Sequence, residues 1–116
     1  MKELDMIIRP DKLEAVKGIL DSENCGGMTI STVLGCGAQK GVTEDTVNEI
    51  KGLKTTINLL PKIRVQIVVE DSKVDPIILA VREKLATDHV GDGKIFIRSV
   101  DDAVRIRTGE RGDAAL

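Results

Sequence analysis

Three stretches of this 116-residue chain set cations beside glycine or beside one another. Gly35-Cys36-Gly37-Ala38-Gln39-Lys40-Gly41 is a glycine-rich strand exit ending in a cation, and Gly91-Asp92-Gly93-Lys94 is a second such turn. Arg105-Ile106-Arg107-Thr108-Gly109-Glu110-Arg111 reads as an extended stretch with Arg105 and Arg107 on one face. Glycine turns let backbone N–H groups approach an anion closely, and a following lysine adds charge. Guanidinium groups suit forked contacts with phosphate oxygens, and two of them side by side repel unless an anion or carboxylate lies between. Together the three stretches favour a polyphosphate ligand. The alternative is two plain turns and a solvated tail whose arginines pair with Asp101, Asp102 and Glu110. Neither turn has the spacing of a Walker A loop or of a dinucleotide fingerprint, and neither opens a helix.

Other chemistries find little support. With 17 basic against 19 acidic residues and a net charge of −2, the chain lacks the basic surface that nucleic-acid binding requires. Phe96 is the one aromatic residue, so no stacking platform for single-stranded bases exists. The single histidine, His89, precedes Gly91 with no Ser or Cys nearby to activate, which speaks against hydrolysis beyond a slow rate. Cys25 and Cys36 flank an expected strand that would hold them on the order of 30 Å apart, beyond the reach of a disulfide. They are expected to be ordinary buried thiols, and no metal-ligand spacing is present. No apolar run approaches the roughly 20 residues of a membrane span. The opening Met-Lys-Glu-Leu-Asp lacks a signal peptide's apolar segment, so a cytoplasmic location without membrane insertion is expected.

The elements that must position these groups follow from periodicity. Residues 3–8 alternate around Leu4, Met6 and Ile8 as a strand, and Pro10-Asp11 opens a helix carrying Leu13, Val16 and Leu20 on one face. Asn24 and Gly26-Gly27 stop it. Residues 28–34 alternate again, as do residues 62–70 around Ile63, Val65, Ile67 and Val69. Val74, Ile77, Ile78, Val81 and Leu85 mark a second helix, and Lys94 to Ser99 a last strand around Ile95 and Ile97. The order βαββαβ predicts an α+β, ferredoxin-like domain with both helices on one face of an antiparallel sheet. Ile7 and Val68 alternate onto the other face, which is expected to need a cover, most simply another subunit. About 26 residues separate Gly35 from Pro61, far beyond a hairpin's usual two to five, and read as a polar loop suited to contacting a partner.

Gln39-Lys40-Gly41, Leu60-Pro61-Lys62, Val90-Gly91-Asp92-Gly93-Lys94-Ile95-Phe96 and Val104-Arg105-Ile106-Arg107-Thr108-Gly109-Glu110-Arg111 resemble the PII signal-transduction family. The opening Met-Lys-x-Leu-x-x-Ile-Ile-Arg-Pro and Gly27-Met28-Thr29 fit as well, so the resemblance runs from Met1 to Leu116 as one domain. It implies a homotrimeric, non-catalytic regulator of nitrogen utilisation that binds ATP or ADP in clefts between subunits. It further implies 2-oxoglutarate binding with Mg²⁺ and ATP, and a long T-loop, about residues 36–60, that docks on a membrane transporter or metabolic enzyme. The C-terminal loop would span about residues 101–116.

Carried over by position, Ile7, Thr29, Gly37 and Val68 would meet base and sugar, with Thr87 near the base. Phosphates would meet the backbone of Gly91 and Gly93 and the side chain of Lys94, with Arg105 and Arg107 reaching from the neighbouring subunit, and Ala38, Gln39 and Asp92 would also border the nucleotide. The resemblance assigns Arg9, Gln39, Lys40, Gly41 and Lys62 to 2-oxoglutarate, with Gln39 also near Mg²⁺, and Lys51, Lys54 and Thr55 to partner contact. The chain departs from the family pattern in five ways, one of them Cys36 in the place of an aromatic residue. Its T-loop is about four residues longer. Thr55 stands where many bacterial members carry a uridylylated tyrosine, and the chain has no tyrosine. Lys51 replaces a loop-tip arginine, and Ala38 replaces a basic residue near the terminal phosphate. That last change implies a weaker preference for ATP over ADP, and an alternative role as an energy-state sensor without 2-oxoglutarate response, acting on a non-ammonium transporter.

Overall fold

The computed structural model describes residues 1–36, 47–50, 53–56 and 59–116, the two four-residue stretches by their backbone alone. Strand β1 (Lys2–Ile8) leads through a short 3-10 turn, Pro10–Lys12, into helix α1 (Leu13–Ser22). Pro10 costs the turn nothing, because a first-turn residue has no N–H bond to lose. The chain leaves α1 through Asn24, whose φ of 57° is the left-handed conformation that asparagine tolerates. Strand β2 (Thr29–Cys36) follows, then the short strands β3 (Val47–Ile50) and β4 (Leu53–Thr56), then β5 (Leu59–Val69). Helix α2 (Asp71–Leu85) and strand β6 (Gly93–Ser99) complete the frame, and a 3-10 turn at Gly112–Ala115 closes the chain.

The main sheet has the order β2-β5-β1-β6, and each neighbouring pair is antiparallel. With the β3–β4 hairpin set aside this is the expected βαββαβ frame. Both central strands send alternate residues to the helices: Leu4, Met6 and Ile8 from β1, and Val65, Ile67 and Val69 from β5, are all buried. Helix α1 covers them with Val16, Ile19 and Leu20, and α2 with Ile77, Val81 and Leu85, one face at helical spacing in each case.

Several expectations change. Gly35 and Cys36 belong to β2, opposite Leu60 and Leu59, so the strand runs two residues past its expected end. Pro61 is tolerated inside β5 because β1 pairs only as far as Ile63, leaving that segment with β2 as its one neighbour. The long connection is not wholly loop: β3 and β4 pair from Val47↔Thr56 to Ile50↔Leu53. The thiols are not buried, Cys25 being half-buried and Cys36 exposed, and both are free.

The sheet's open face is also more polar than expected. Ile7 and Val68 do lie on it, both half-buried, but between them it carries a charge network. Arg64 donates from Nε and Nη2 to the two Asp5 carboxylate oxygens at 2.9 and 2.8 Å, and Arg98 Nη1 donates to Oδ2 at 2.9 Å. Gln66 donates to Glu3 at 3.0 Å. Asp5 faces Gln66 on one side and Phe96 on the other, so both arginines reach it diagonally and tie three strands together. Of the uncovered large apolar side chains, Leu34 (66% exposed) and Ile97 (51%) lie on the helix-bearing side at the sheet edges, while Phe96 (46%) lies on the open face beside Asp5.

Asp5 is 2% exposed, and the Arg64 hydrogen bonds hold its carboxyl below the usual range despite burial, with Arg98 adding to the effect. A carboxyl acid depressed on folding stabilises the native state above its unfolded value, near 3.9, and that stabilisation fades as pH falls through the folded value. Asp5→Asn is therefore expected to cost about 2 kcal/mol at neutral pH, and to flatten the acid limb of a denaturant-melt series below the ordinary aspartate value.

Candidate functional site

The turn between α2 and β6 is built around its own carboxylate. Asp92 accepts from the Thr87 N–H at 2.6 Å and the Thr87 hydroxyl at 2.5 Å, closing residues 87–92 into a ring. The Thr87 hydroxyl bond is the main reason the Asp92 carboxyl sits below its ordinary range. Gly91 and Gly93 take φ of 101° and 111°, open only to glycine at low cost. At Gly93 a side chain is excluded twice over, because a Cβ would also collide with the Ile7 carbonyl oxygen of the paired strand.

Two cations support this turn from the neighbouring strands. Arg9 donates from Nε to the Gly91 carbonyl at 3.0 Å and from Nη2 to the Val90 carbonyl at 3.1 Å. Its Nη2 also stands 4.0 Å from the Asp92 carboxylate. Lys62 is 8% exposed and donates to the same Gly91 carbonyl at 3.0 Å. Its stem crosses Gly35, where a Cβ would lie 3.2 Å from Lys62 Cγ. Burial, with the Arg9 charge adding to it, pulls the Lys62 ammonium below the ordinary lysine value of 10.5. Lys94 lies next in β6, exposed and opposite Ile7. Thus Ile7, Arg9, Lys62, Thr87, Gly91, Asp92, Gly93 and Lys94 form one group at one end of the sheet.

Thr29 and Val68 lie at the other end. With Glu3, Gly27, Met28, Gln66 and Ile67 they line a cavity of about 440 Å³. The C-terminal segment joins this end, since Val68, Gly26 and Leu116 border a smaller cavity of about 90 Å³. Arg105 donates to the Leu116 carbonyl at 3.3 Å and pairs with Glu110 at 3.0 Å. The expected extended Arg105-x-Arg107 stretch is instead a tight turn. The Gly109 N–H donates to the Arg105 carbonyl at 2.7 Å, and the Arg105 N–H to the Glu110 carbonyl at 2.9 Å. Gly109, at φ 74°, and the bridge between Val104 and Arg111 make the reversal possible. The guanidiniums therefore do not share one strand face. Arg105 is half-buried, while Arg107 is exposed and has no hydrogen-bond or ion-pair partner among the described residues. Arg111 is taken by Asp102 at 2.5 Å, as the solvated-tail alternative anticipated.

The residues expected around one base and sugar are thus not together within one chain. Ile7 is opposite Arg64, whereas Val68 is opposite Glu3, four residues earlier in β1. At about 3.3 Å per residue that separation is roughly 13 Å, too far for one base to touch both. Gly37, Ala38, Gln39, Lys40, Gly41 and Lys51 lie outside the described residues, and Lys54 and Thr55 are placed only by the β4 backbone. Sequence reasoning missed the use of Arg9 and Lys62 on the turn's carbonyls and the Thr87–Asp92 ring. It also missed a groove of about 370 Å³ between α2 and β6, lined by Ile78, Val81, Leu85, Ile95 and Ile97. The Thr87/Asp92 pair had a local signal, since a hydroxyl and a carboxylate five residues apart around a glycine can close a turn. The others depend on the strand register.

The model of the nitrogen regulatory protein P-II family matches residues 1–110. The chain belongs to the P-II family. P-II proteins are signalling regulators rather than enzymes. Similarity to curated members extends over the full chain. The chain is 47% identical over 116 residues to nitrogen regulatory protein P-II 2 of Methanothermobacter thermautotrophicus, covering 100% of this chain and 97% of the relative. Identity is 45% to the P-II protein of Microchaete diplosiphon and 40% to that of Rhodospirillum rubrum, with both chains fully covered. Among solved structures, B. subtilis GlnK superposes with a TM-score of 0.79 at 32% identity, over 99% of this chain and 97% of that one. Among the described residues no group of acidic, histidine or cysteine side chains is arranged to hold a metal, and no helix is long and apolar enough to cross a membrane.

The lowered Lys62 value gives a direct check on the geometry of this P-II turn. In a ¹³C titration of the lysine side chains, Lys62 is expected to lose its proton below the ordinary lysine value, and Arg9→Ala to move it part of the way back by removing a like charge. Between the folded and ordinary values the unfolded chain holds the extra proton, so this group's contribution makes stability rise with pH there.

Proposed function

We propose that this P-II protein is a cytoplasmic homotrimer of single 116-residue domains that binds ATP or ADP between subunits and regulates nitrogen utilisation by T-loop contact with a membrane transporter or metabolic enzyme. The observation that carries the reading is the division of the expected ligand residues between two ends of the sheet. Ile7, Gly91, Gly93 and Lys94 stand at one end, and Thr29, Val68 and Arg105 are grouped at the other. One chain offers each half without its complement, and a rotational assembly brings one copy's first half against the next copy's second half. In that arrangement the glycine turn and Lys94 take the phosphates, Thr29 and Val68 border the base, and Arg107 supplies an uncommitted guanidinium. Arg105 must give up Glu110 or share it. Nucleotide binding would then also clamp the subunits together.

Regulation passes to the T-loop, whose base is β2 and β5 and whose described part is the β3–β4 hairpin. In this reading the T-loop spans about residues 36–60, is about four residues longer than the usual pattern, and has Thr55 at the position of the modifiable tyrosine. With no tyrosine in the chain, control by uridylylation is removed. Arg9, Gln39, Lys40, Gly41 and Lys62 would serve 2-oxoglutarate, with Mg²⁺ held through ATP and Gln39. A second reading follows from Ala38, which lacks the cation expected near the terminal phosphate. ATP and ADP would then bind alike, and the trimer would report energy state alone.

Calorimetric titration of the trimer tests both readings. ATP and ADP are expected to bind with affinities within a few-fold of each other, and Arg107→Ala to weaken ATP by at least tenfold by removing a phosphate partner, about 1.4 kcal/mol. Heat on adding 2-oxoglutarate to the MgATP-loaded protein supports nitrogen–carbon sensing, whereas silence there selects the energy-state reading. Failure to bind either nucleotide would overturn both.

A further inference from the structure

We propose that Glu110 is a built-in competitor for the nucleotide's phosphates: it occupies the Arg105 guanidinium until a phosphate displaces it, and so sets how tightly the site binds. The inference rests on the nucleotide reading above, in which Arg105 is a phosphate partner. Its basis is the way the C-terminal turn is tied. The Arg105 N–H donates to the Glu110 carbonyl at 2.9 Å, the Gly109 N–H donates to the Arg105 carbonyl at 2.7 Å, and Val104 bridges to Arg111. These bonds set Arg105 and Glu110 opposite one another. Their side chains meet there, with Arg105 Nη1 donating to Glu110 Oε1 at 3.0 Å. The Thr108 hydroxyl accepts the Glu110 N–H at 3.2 Å and holds the turn from within. The backbone thus delivers this carboxylate to this guanidinium.

The place of the pair gives it a consequence. Arg105 Nη2 donates to the Leu116 carbonyl at 3.3 Å, and Leu116 borders the cavity that Val68 also lines. The guanidinium therefore stands at the end of the sheet that carries Thr29 and Val68. A forked contact with a phosphate takes two parallel N–H groups. With Nη1 on Glu110 and Nη2 on Leu116, that edge of the fork is filled. A phosphate on the same edge would lie within a few ångströms of the carboxylate, and like charges so close repel. The carboxylate must leave for solvent as the phosphate arrives. It can do so because the two side chains are 36% and 44% exposed, and an ion pair so open to water is weak. The neighbouring pair is fixed by comparison. Asp102 takes Arg111 through Nε and Nη2 at 2.8 and 2.5 Å, and also accepts the Ala103 and Gly112 N–H groups at 2.8 and 3.0 Å. Of these two pairs, Arg105–Glu110 is the exchangeable one.

The test compares wild type, Glu110→Gln, Arg105→Ala and the double variant, each as the full-length assembled protein. Glutamine keeps the side chain's length and the backbone bonds of the turn, and removes the charge. Calorimetry uses ATP, inorganic tripolyphosphate and adenosine. Glu110→Gln is expected to tighten ATP and tripolyphosphate about three- to fivefold, as release of an exposed ion pair allows, while adenosine stays unchanged. In the Arg105→Ala background the same substitution is expected to do nothing, a coupling that a general loss of negative charge would not produce. Amide ¹H–¹⁵N shifts of Arg105 and Gly109 in the ligand-free protein are expected to stay in place, showing that the turn persists. Glu110→Asp keeps the charge on a shorter stem, and is expected to tighten ATP about twofold, between wild type and Glu110→Gln. No gain for ATP in either Glu110 variant, or an equal gain with and without Arg105, overturns the proposal. If wild type binds neither ATP nor tripolyphosphate, the nucleotide reading and the competitor role fail together. If wild type binds both and Arg105→Ala binds them as tightly, the nucleotide reading stands and the competitor role falls.

Discussion

A carboxylate cannot be left alone in the middle of a sheet, and the pairing of Asp5 organises the open face of this protein. Burying the charge without partners would cost several kcal/mol, on the order of magnitude expected for an unpaired interior ion. Arg64 from β5 and Arg98 from β6 reach it from opposite sides along the two diagonals. Those diagonals exist in only one register of each strand pair. A one-residue slip would turn Asp5 into the apolar layer under the helices and bring Leu4 and Met6 out. The hydrophobic layer and the charge network thus demand the same alignment, and each penalises the slips the other penalises.

That alignment places everything the site uses. With Ile8 opposite Gly93, the backbone of β1 comes so close that only glycine fits, and the turn preceding β6 is pinned against the end of β1. Arg9, one residue past β1, then reaches the turn's carbonyls, and Lys62 reaches one of them from β5. The same alignment sends Val68 to the opposite end, beside Glu3. The separation of the two ligand-bearing groups is a consequence of strand direction: β1 and β5 run antiparallel, so residues late in β5 must lie beside residues early in β1.

Cations in this P-II protein do different work according to what is left of their hydrogen-bonding capacity. Arg64, Arg98 and Arg111 are taken by carboxylates, and Arg9 and Lys62 by backbone carbonyls. Arg105 is shared between Glu110 and the chain terminus. Lys94, in β6, and Arg107, in the C-terminal turn, remain exposed. Counting basic residues near glycine turns therefore overstates how many can meet a ligand. The free ones are those whose neighbours in space offer no acceptor.

The sequence by itself determined the order of the main elements, the inward-facing residues and the family. Period-two and period-3.6 patterns are properties of a strand or helix taken alone, and the glycine–cation stretches are local. It also pointed to Gly91 and Gly93, because a turn with a required left-handed residue shows itself in the residue type. It could not settle the extended or turned state of Arg105–Gly109, because that choice depends on a bond to Glu110 and on the contact with Leu116. The β3–β4 hairpin escaped it too, since two four-residue strands with mixed polarity carry almost no periodic signal. Only the tertiary structure decided that Arg9 and Lys62 converge on one carbonyl and that Ile7 and Val68 part company. Register couples residues about sixty positions apart, and no local pattern holds that information.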